Sequence, residues 1–262
     1  MKEINTLDEL KSIELDIMKK FHIFCTDNEI KYYLCFGTLI GAIRHQGFIP
    51  WDDDIDVYMP REDYDKFCKL FPKYQASLNL AIVNHTTKPY LGRVMSKVID
   101  TRTDLKELEY KGDDNIGVFI DLFPLDGIPA NRIHRLLRIL KSKIYSKTIY
   151  TKKELKKKGV IEKLILFFSK PWTEQYLLGR MCQFMTKYSY SDSEIVTCYA
   201  GIETCCWPKE YFGNGILKKF EDSEFYIPCN FDAILKDCYG NYMQLPPEKA
   251  RVPHHITNIY WK

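Results

Sequence analysis

The apolar positions at the start of the chain recur every three or four residues, which is the spacing of one face of an α-helix. Thr6 and Glu9 precede them as a capping box, in which the threonine hydroxyl caps a backbone N–H of the first turn. The pattern predicts a helix that begins after Thr6 and packs one side against a core. Its apolar face carries Leu10, Ile13, Ile17, Phe21 and Phe24.

From residue 32 onward, short apolar runs end at glycine or proline and alternate with polar turns, which is typical of strands joined by short helices. The opening 125 residues therefore predict an α/β (α+β) fold, with a mixed sheet flanked by helices. Strands are predicted at 32–36, 54–59, 78–83, 93–99 and 117–123, and further helices at 38–44 and 61–71.

The middle of the chain has a helical pattern and a different charge. Between residues 132 and 170 there are 13 lysines and arginines against two glutamates, a net charge of +11. The whole chain carries only +3, so the remainder carries −8. Two interpretations stay open: a solvated helical surface, or a basic patch with apolar side chains that makes peripheral contact with an anionic membrane.

These patterns divide the chain into three regions. Residues 1–130 form the predicted catalytic core, 131–190 a basic helical insertion, and 191–262 a mixed region that completes the active site. In the last region a strand is predicted at 225–227 and a helix at 231–238.

Composition excludes several classes of protein. The chain has 262 residues, of which 45% are hydrophobic and 28% charged, as in ordinary globular proteins. The near-neutral net charge argues against a nucleic-acid partner. Apolar runs reach no more than five residues, as in 164–168, whereas a membrane span needs about 20. With no visible secretory signal and nine cysteines lacking a CxxC pair, we expect a cytoplasmic protein with reduced thiols.

The candidate chemistry centres on acidic side chains. Asp54 and Asp56 are two residues apart on a predicted strand, so both point to the same face. Two adjacent carboxylates repel each other unless a cation neutralises them, and Mg²⁺ favours carboxylates together with phosphate oxygens. Asp121, inside an apolar strand, is the expected third ligand, since a lone buried charge is costly. The predicted cofactor is Mg²⁺, with Mn²⁺ as an alternative.

A phosphate-binding group is expected beside these acids. Gly37 and Thr38 follow a strand and open a helix, where backbone N–H groups and a hydroxyl can bind anions. Arg44, Arg93 and Lys97 are candidate phosphate-binding cations, and the last two share a face of a predicted strand.

Three blocks in order resemble the LicD family, which is related to fukutin and fukutin-related protein. They read GTLIGAIRHQGFIPWDDDIDVYMPREDYDKF at 37–67, GVFIDLFPLDGIP at 117–129 and DCYGNYMQLPPEKARVPHH at 237–255. The resemblance implies a nucleotidyltransferase-like fold whose pattern maps to Gly37, Thr38, Asp54 and Asp56. It also implies phosphocholine or phospho-alcohol transfer from CDP-choline or a similar donor to a glycan acceptor, with release of CMP. In similar proteins the acceptor is teichoic acid, lipopolysaccharide or capsule polysaccharide, or a lipid-linked precursor.

A choline head group would require aromatic faces, because a quaternary ammonium cannot accept or donate hydrogen bonds. Four rings near the blocks are candidates, and the resemblance favours an active-site role for one of two adjacent histidines. These candidates are Trp51, Tyr58, Trp207, Tyr211, His254 and His255.

Two other functions stay open from the sequence. A nucleotidyltransferase with the same fold would release pyrophosphate instead of CMP. A non-catalytic glycan- or membrane-binding protein would not need Asp54, Asp56 and Asp121 together.

Overall fold

The computed structural model describes residues 2–87, 94–106, 115–153, 159–199, 205–253 and 259–262. Within these residues the chain folds as helices around mixed sheets, so the predicted α/β class is confirmed. The threonine half of the capping box forms as expected, because Thr6 Oγ1 accepts a hydrogen bond of 3.2 Å from the backbone N–H of Glu9. The helices are α1 Leu7–Asp27, α2 Phe36–Arg44, α3 Arg61–Leu70, α4 Arg132–Lys153, α5 Val160–Phe168, α6 Glu174–Met185 and α7 Phe231–Tyr239.

The strands include several short segments that the hydrophobic pattern did not predict. Most of these are only two or three residues long, which is too short for a period of two to be recognised. The strands are β1 Lys2–Glu3, β2 Tyr33–Leu34, β3 Asp56–Pro60, β4 Leu80–Val83, β5 Ser96–Asp100, β6 Thr103–Lys106, β7 Asn115–Ile116, β8 Phe119–Ile128, β9 Ile195–Thr197, β10 Cys206–Pro208, β11 Ile216–Phe220, β12 Ser223–Ile227 and β13 Ile259–Trp261.

The main sheet is built around β8, whose ten residues are all buried. β3 pairs with β8 in parallel, and β5 pairs with it in antiparallel orientation. β2 continues the sheet beyond β3, β4 pairs with β5, and β9 and β10 extend it from the last residues of β8. A strand buried on both faces and flanked by two others places its side chains in a defined register.

The sheets connect the N-terminal and C-terminal regions predicted from the sequence. β9, from the C-terminal region, pairs with the end of β8. β13, at residues 259–261, pairs with both β1 and β6 of the N-terminal region. The basic region forms α4, α5 and α6, as its helical pattern predicted. No helix in the described part of the chain is long and apolar enough to cross a bilayer.

Candidate active site

The site lies where β3 and β8 run side by side. Asp56 and Asp121 are direct partners in the parallel register of these strands, and both are buried. Neighbouring strands are about 4.8 Å apart, so the two carboxyl groups start from adjacent backbone positions. Burial raises the pKa of Asp56 well above its usual value, and the charges of Asp54, Asp121 and Asp52 raise it further. Two of the three predicted acids, Asp56 and Asp121, therefore come together.

Lys97 extends this pair from the other side of β8, so that Asp56, Asp121 and Lys97 form a row on three adjacent strands. It is the register partner of Asp121 on β5, and its Nζ lies 2.9 Å from Asp121 Oδ1 and 3.2 Å from the centroid of the Phe119 ring. Apart from this ion pair, that buried oxygen has no hydrogen-bond partner among the described residues. Lys97, predicted to bind phosphate, thus faces a carboxylate.

Asp54 precedes β3, which begins two residues later than predicted. Asp52, two residues before Asp54, lies against the start of α2, where a Cβ on Gly37 would come within 2.6 Å of Asp52 Oδ2. Burial raises the pKa of Asp52 to about 7, helped by the charges of Asp54 and Asp53. Gly37 is therefore required for the close approach of a carboxylate, a role the sequence pattern assigned to phosphate.

Thr38 has a structural contact that the sequence could not reveal. Its Oγ1 accepts a hydrogen bond of 2.9 Å from the backbone N–H of Asp56, and both residues are buried. Phe36, just before, has a φ of 47°, a left-handed conformation that costs about 1–2 kcal/mol in a residue other than glycine. The helix start is thus held against β3 in a strained geometry, and Thr38 positions Asp56.

The aromatic residues Tyr58 and Trp207 lie in the core. Their rings are 5.8 Å apart, and each side chain is at most 2% exposed. Tyr58 also packs 5.1 Å from the ring of Phe36, so the cluster supports the strained turn beside the acids. This burial does not support the choline contact predicted for these two rings. Tyr211 is half-buried beside the same cluster.

Trp51 is half-buried and directly precedes Asp52, Asp53 and Asp54, in the loop before β3. The guanidinium of Arg251 lies 5.5 Å from the centroid of its ring. Arg44 donates a hydrogen bond of 2.8 Å to the carbonyl of Tyr242, which ties α2 to the C-terminal block. Burial and the charge of Arg251 lower the pKa of Arg44, and the charge of Asp52 partly opposes this shift. Arg251, which sequence reasoning missed, thus joins the predicted Arg44 near the acids.

Glu14 is a second residue that sequence reasoning missed. It lies on the buried face of α1, and burial followed by the charges of Asp54, Asp53 and Asp52 raises its pKa well above the usual value. Its Oε2 has no hydrogen-bond partner among the described residues. A signal was present in the sequence, because Glu14 interrupts the apolar face four residues after Leu10. Arg93, His254 and His255 lie outside the described residues.

Similarity to known proteins covers nearly the whole chain. This chain is 34% identical to the lipopolysaccharide cholinephosphotransferase LicD of Haemophilus influenzae over 269 residues, which span 97% of this chain and 98% of that protein. The chain belongs to the LicD family. Residues 29–149 match the LicD domain that is described as "LicD/FKTN/FKRP, nucleotidyltransferase domain".

Shorter matches connect the LicD chain to two uncharacterized proteins. One, from Rickettsia typhi, is 43% identical over 70 residues, which cover 26% of this chain and 23% of that protein. The other, from Rickettsia prowazekii, is 44% identical over 59 residues, or 22% of each.

The acidic cluster of this LicD chain suits a cation such as Mg²⁺. Burial and the neighbouring carboxylates raise the pKa of Asp56, and apart from its ion pair with Lys97 the buried Oδ1 of Asp121 has no hydrogen-bond partner among the described residues. Within the described ranges, however, no three His, Cys, Asp or Glu side chains form a ready-made metal site. Mg²⁺ commonly takes one or two carboxylates and completes its shell with phosphate oxygens and water. Asp56 and Asp121 fit that arrangement, and participation of Asp54 stays a prediction.

Proposed function

We propose that this protein transfers phosphocholine, or a similar phospho-alcohol, from a CDP-activated donor to a sugar hydroxyl of a cell-surface glycan or its lipid-linked precursor. The observation that carries the proposal is the row formed by Asp56, Asp121 and Lys97 on adjacent strands. The full-length similarity to a lipopolysaccharide cholinephosphotransferase supports the transferred group and a glycan acceptor. A CDP donor implies a cytoplasmic site of action.

Phosphoryl transfer depends mainly on positioning and on neutralising charge, so no nucleophilic side chain is required. Asp56 and Asp121, with Asp54 beside them, would hold Mg²⁺ or Mn²⁺ together with the donor diphosphate. When bound, the ion neutralises the diphosphate charge. Thr38 positions the backbone of Asp56.

Asp121 accepts the proton of the sugar hydroxyl as the hydroxyl oxygen bonds to the distal phosphorus. The bond from that phosphorus to the CMP oxygen breaks, and CMP leaves with the electron pair. Lys97, buried against Asp121, forms an ion pair with that carboxylate and adds positive charge at the row. Trp51 and Tyr211, which are half-buried, remain the candidate contacts for a choline head group.

The decisive experiment incubates the purified protein with Mg²⁺ and either CDP-choline, CDP-glycerol or CDP-ribitol, and follows the nucleotide by chromatography. We expect slow CMP release from one donor without an acceptor. Asp56→Asn should lower this rate at least about 100-fold, whereas the exposed control Asp192→Asn should keep it. Release of pyrophosphate from a nucleoside triphosphate, without CMP from any of these donors, would contradict the proposal.

A further inference from the structure

Helix α4 has a buried inward face and, opposite it, an exposed apolar face. Successive residues of an α-helix are rotated by about 100°. The face formed by Arg138, Ser142, Tyr145 and Ile149 packs inward beside α6. On the opposite side, five large apolar side chains recur with helical spacing and are 57–68% exposed. They are Ile133, Leu136, Leu137, Leu140 and Ile144.

Helix α5 extends this outward surface. It contains no buried residue, and it packs beside α4, to which Lys147 and Glu162 join it through a contact of 3.1 Å. Trp172 and Tyr176, just after α5 and at the start of α6, are also exposed. The exposed apolar residues of α5 are Val160, Ile161, Leu164, Phe167 and Phe168. Apolar exposure this dense on one side of a molecule marks an interaction surface.

Basic side chains border the apolar stripe of α4. By the helical rotation, Arg132 and Lys143 fall on one side of the stripe and Lys141 on the other, and all three are exposed. In the described part of α4 and α5 the one acid is Glu162, which is paired with Lys147. The surface therefore combines an apolar centre with a positive border.

We propose that the outward faces of α4 and α5 form a surface that binds an anionic lipid bilayer, with the apolar side chains in the headgroup region. An apolar stripe bordered by lysine and arginine is the pattern of helices that lie in a membrane interface. Anionic lipids complement the net charge of +11 between residues 132 and 170. In a dimer formed through this surface, the positive charge of one copy would face the positive charge of the other, so self-association is disfavoured.

This inference goes beyond the transferase proposal, because it concerns where the protein works and not what it transfers. It would place the catalytic row near lipid-linked acceptors at the inner face of a membrane. Vesicle binding does not depend on catalysis. The catalytically impaired Asp56→Asn should therefore bind vesicles like the unaltered protein, so failure of either proposal can be recognised separately.

The test is flotation of the full chain with two kinds of vesicle, phosphatidylcholine alone and phosphatidylcholine mixed with phosphatidylglycerol. We expect the protein to float with the anionic vesicles and to bind neutral vesicles at least about tenfold more weakly, with high salt reducing the difference. Equal absence from both vesicle fractions would overturn the inference.

Substitutions locate the surface. Leu137→Ser/Leu140→Ser and Phe167→Ser/Phe168→Ser should each reduce binding to anionic vesicles by about tenfold or more, because apolar area leaves the interface. Lys141→Gln/Lys143→Gln should reduce binding to anionic vesicles only. The matched control Ile23→Ser/Leu217→Ser removes similarly exposed side chains from α1 and β11 and should bind normally.

Circular dichroism and CMP release in solution should be unchanged in all of these variants. Equal vesicle binding by the α4, α5 and control variants would overturn the inference. So would a dimer, measured by light scattering, that the α4 substitutions dissociate, because that result assigns the surface to a second copy.

Discussion

The Nζ atom of Lys97 lies 2.9 Å from Oδ1 of Asp121, and both side chains are almost completely shielded from water. The two residues are register partners on β5 and β8, and Asp56 is the partner of Asp121 on β3. One buried cation therefore lies beside two neighbouring carboxyl groups, so the row offers acidic oxygens that a divalent cation could bind.

The first prediction concerns this ion pair. Lys97→Met should reduce the free energy of unfolding by about 3–5 kcal/mol, because it leaves a buried carboxylate without its cation. Asp121→Asn removes that charge, so the double variant should lose clearly less than the sum of the two single losses. Urea unfolding of all four proteins measures this. Additive losses would mean that the two side chains do not stabilise each other.

The second prediction concerns the close approach at Gly37. Gly37→Ala places a methyl group 2.6 Å from Asp52 Oδ2, so Asp52 must move. We expect a loss of stability of about 1–3 kcal/mol together with slower CMP release. The control is Gly179→Ala in α6, where a Cβ meets nothing within 4 Å and should stabilise the helix by about 0.5–1 kcal/mol. If both substitutions stabilise the protein, Asp52 does not approach Gly37 as closely as described.

The third prediction separates the two roles considered for Thr38. Thr38→Val leaves the buried N–H of Asp56 without its acceptor and should cost about 1–3 kcal/mol. Thr38→Ser keeps the acceptor oxygen and should retain most of the stability and the rate of CMP release. If Thr38 binds donor phosphate alone, Thr38→Val would weaken donor binding, measured by calorimetry, without a change in thermal unfolding.

The fourth prediction concerns pH. Burial lowers the pKa of His22 below its usual 6.5, and its Nδ1 lies 2.6 Å from the hydroxyl of Tyr32. The unfolded chain takes up this proton more readily than the folded protein. The stabilisation by neutral His22 is therefore complete above pH 6.5 and is lost as the pH falls through 6.5 towards the lower folded pKa.

Urea unfolding between about pH 7 and pH 5 tests this dependence. His22→Gln should lose less stability over that range than the unaltered protein does. The exposed His134→Gln serves as the control and should follow the unaltered protein. Identical pH dependence of the unaltered protein and His22→Gln would show that His22 does not carry the effect.

Local spacing was sufficient for much of the fold. The capping box at Thr6, the apolar face of α1 and the helices of the basic region depend on residues a few positions apart. Strand boundaries were less accurate: β3 begins at Asp56 and not at 54, and β2 is two residues long where five were predicted. Hydrogen-bonded partners limit a strand, and those partners are remote in the sequence.

The acids of the site could be selected from the sequence because charged residues inside apolar runs are costly unless something compensates them. Glu14 gave the same signal in α1 and was overlooked. By contrast, the pattern could not indicate that Thr38 contacts the backbone of Asp56 or that Tyr58 is covered by other rings. The residue type limits the bonds that a side chain can form, whereas packing in the folded protein determines which partner the side chain contacts.

The amino-acid sequence alone therefore determined the class of fold, the acidic motif, the family resemblance and the charge of residues 132–170, because each depends on residue type and local spacing. The pairing of β8 with both β3 and β5 decided that Asp121 lies between Asp56 and Lys97. Packing likewise decided which face of α4 is covered and which apolar stripe remains exposed. These relationships join distant segments through hydrogen bonds and excluded volume, which exist only once the chain has folded.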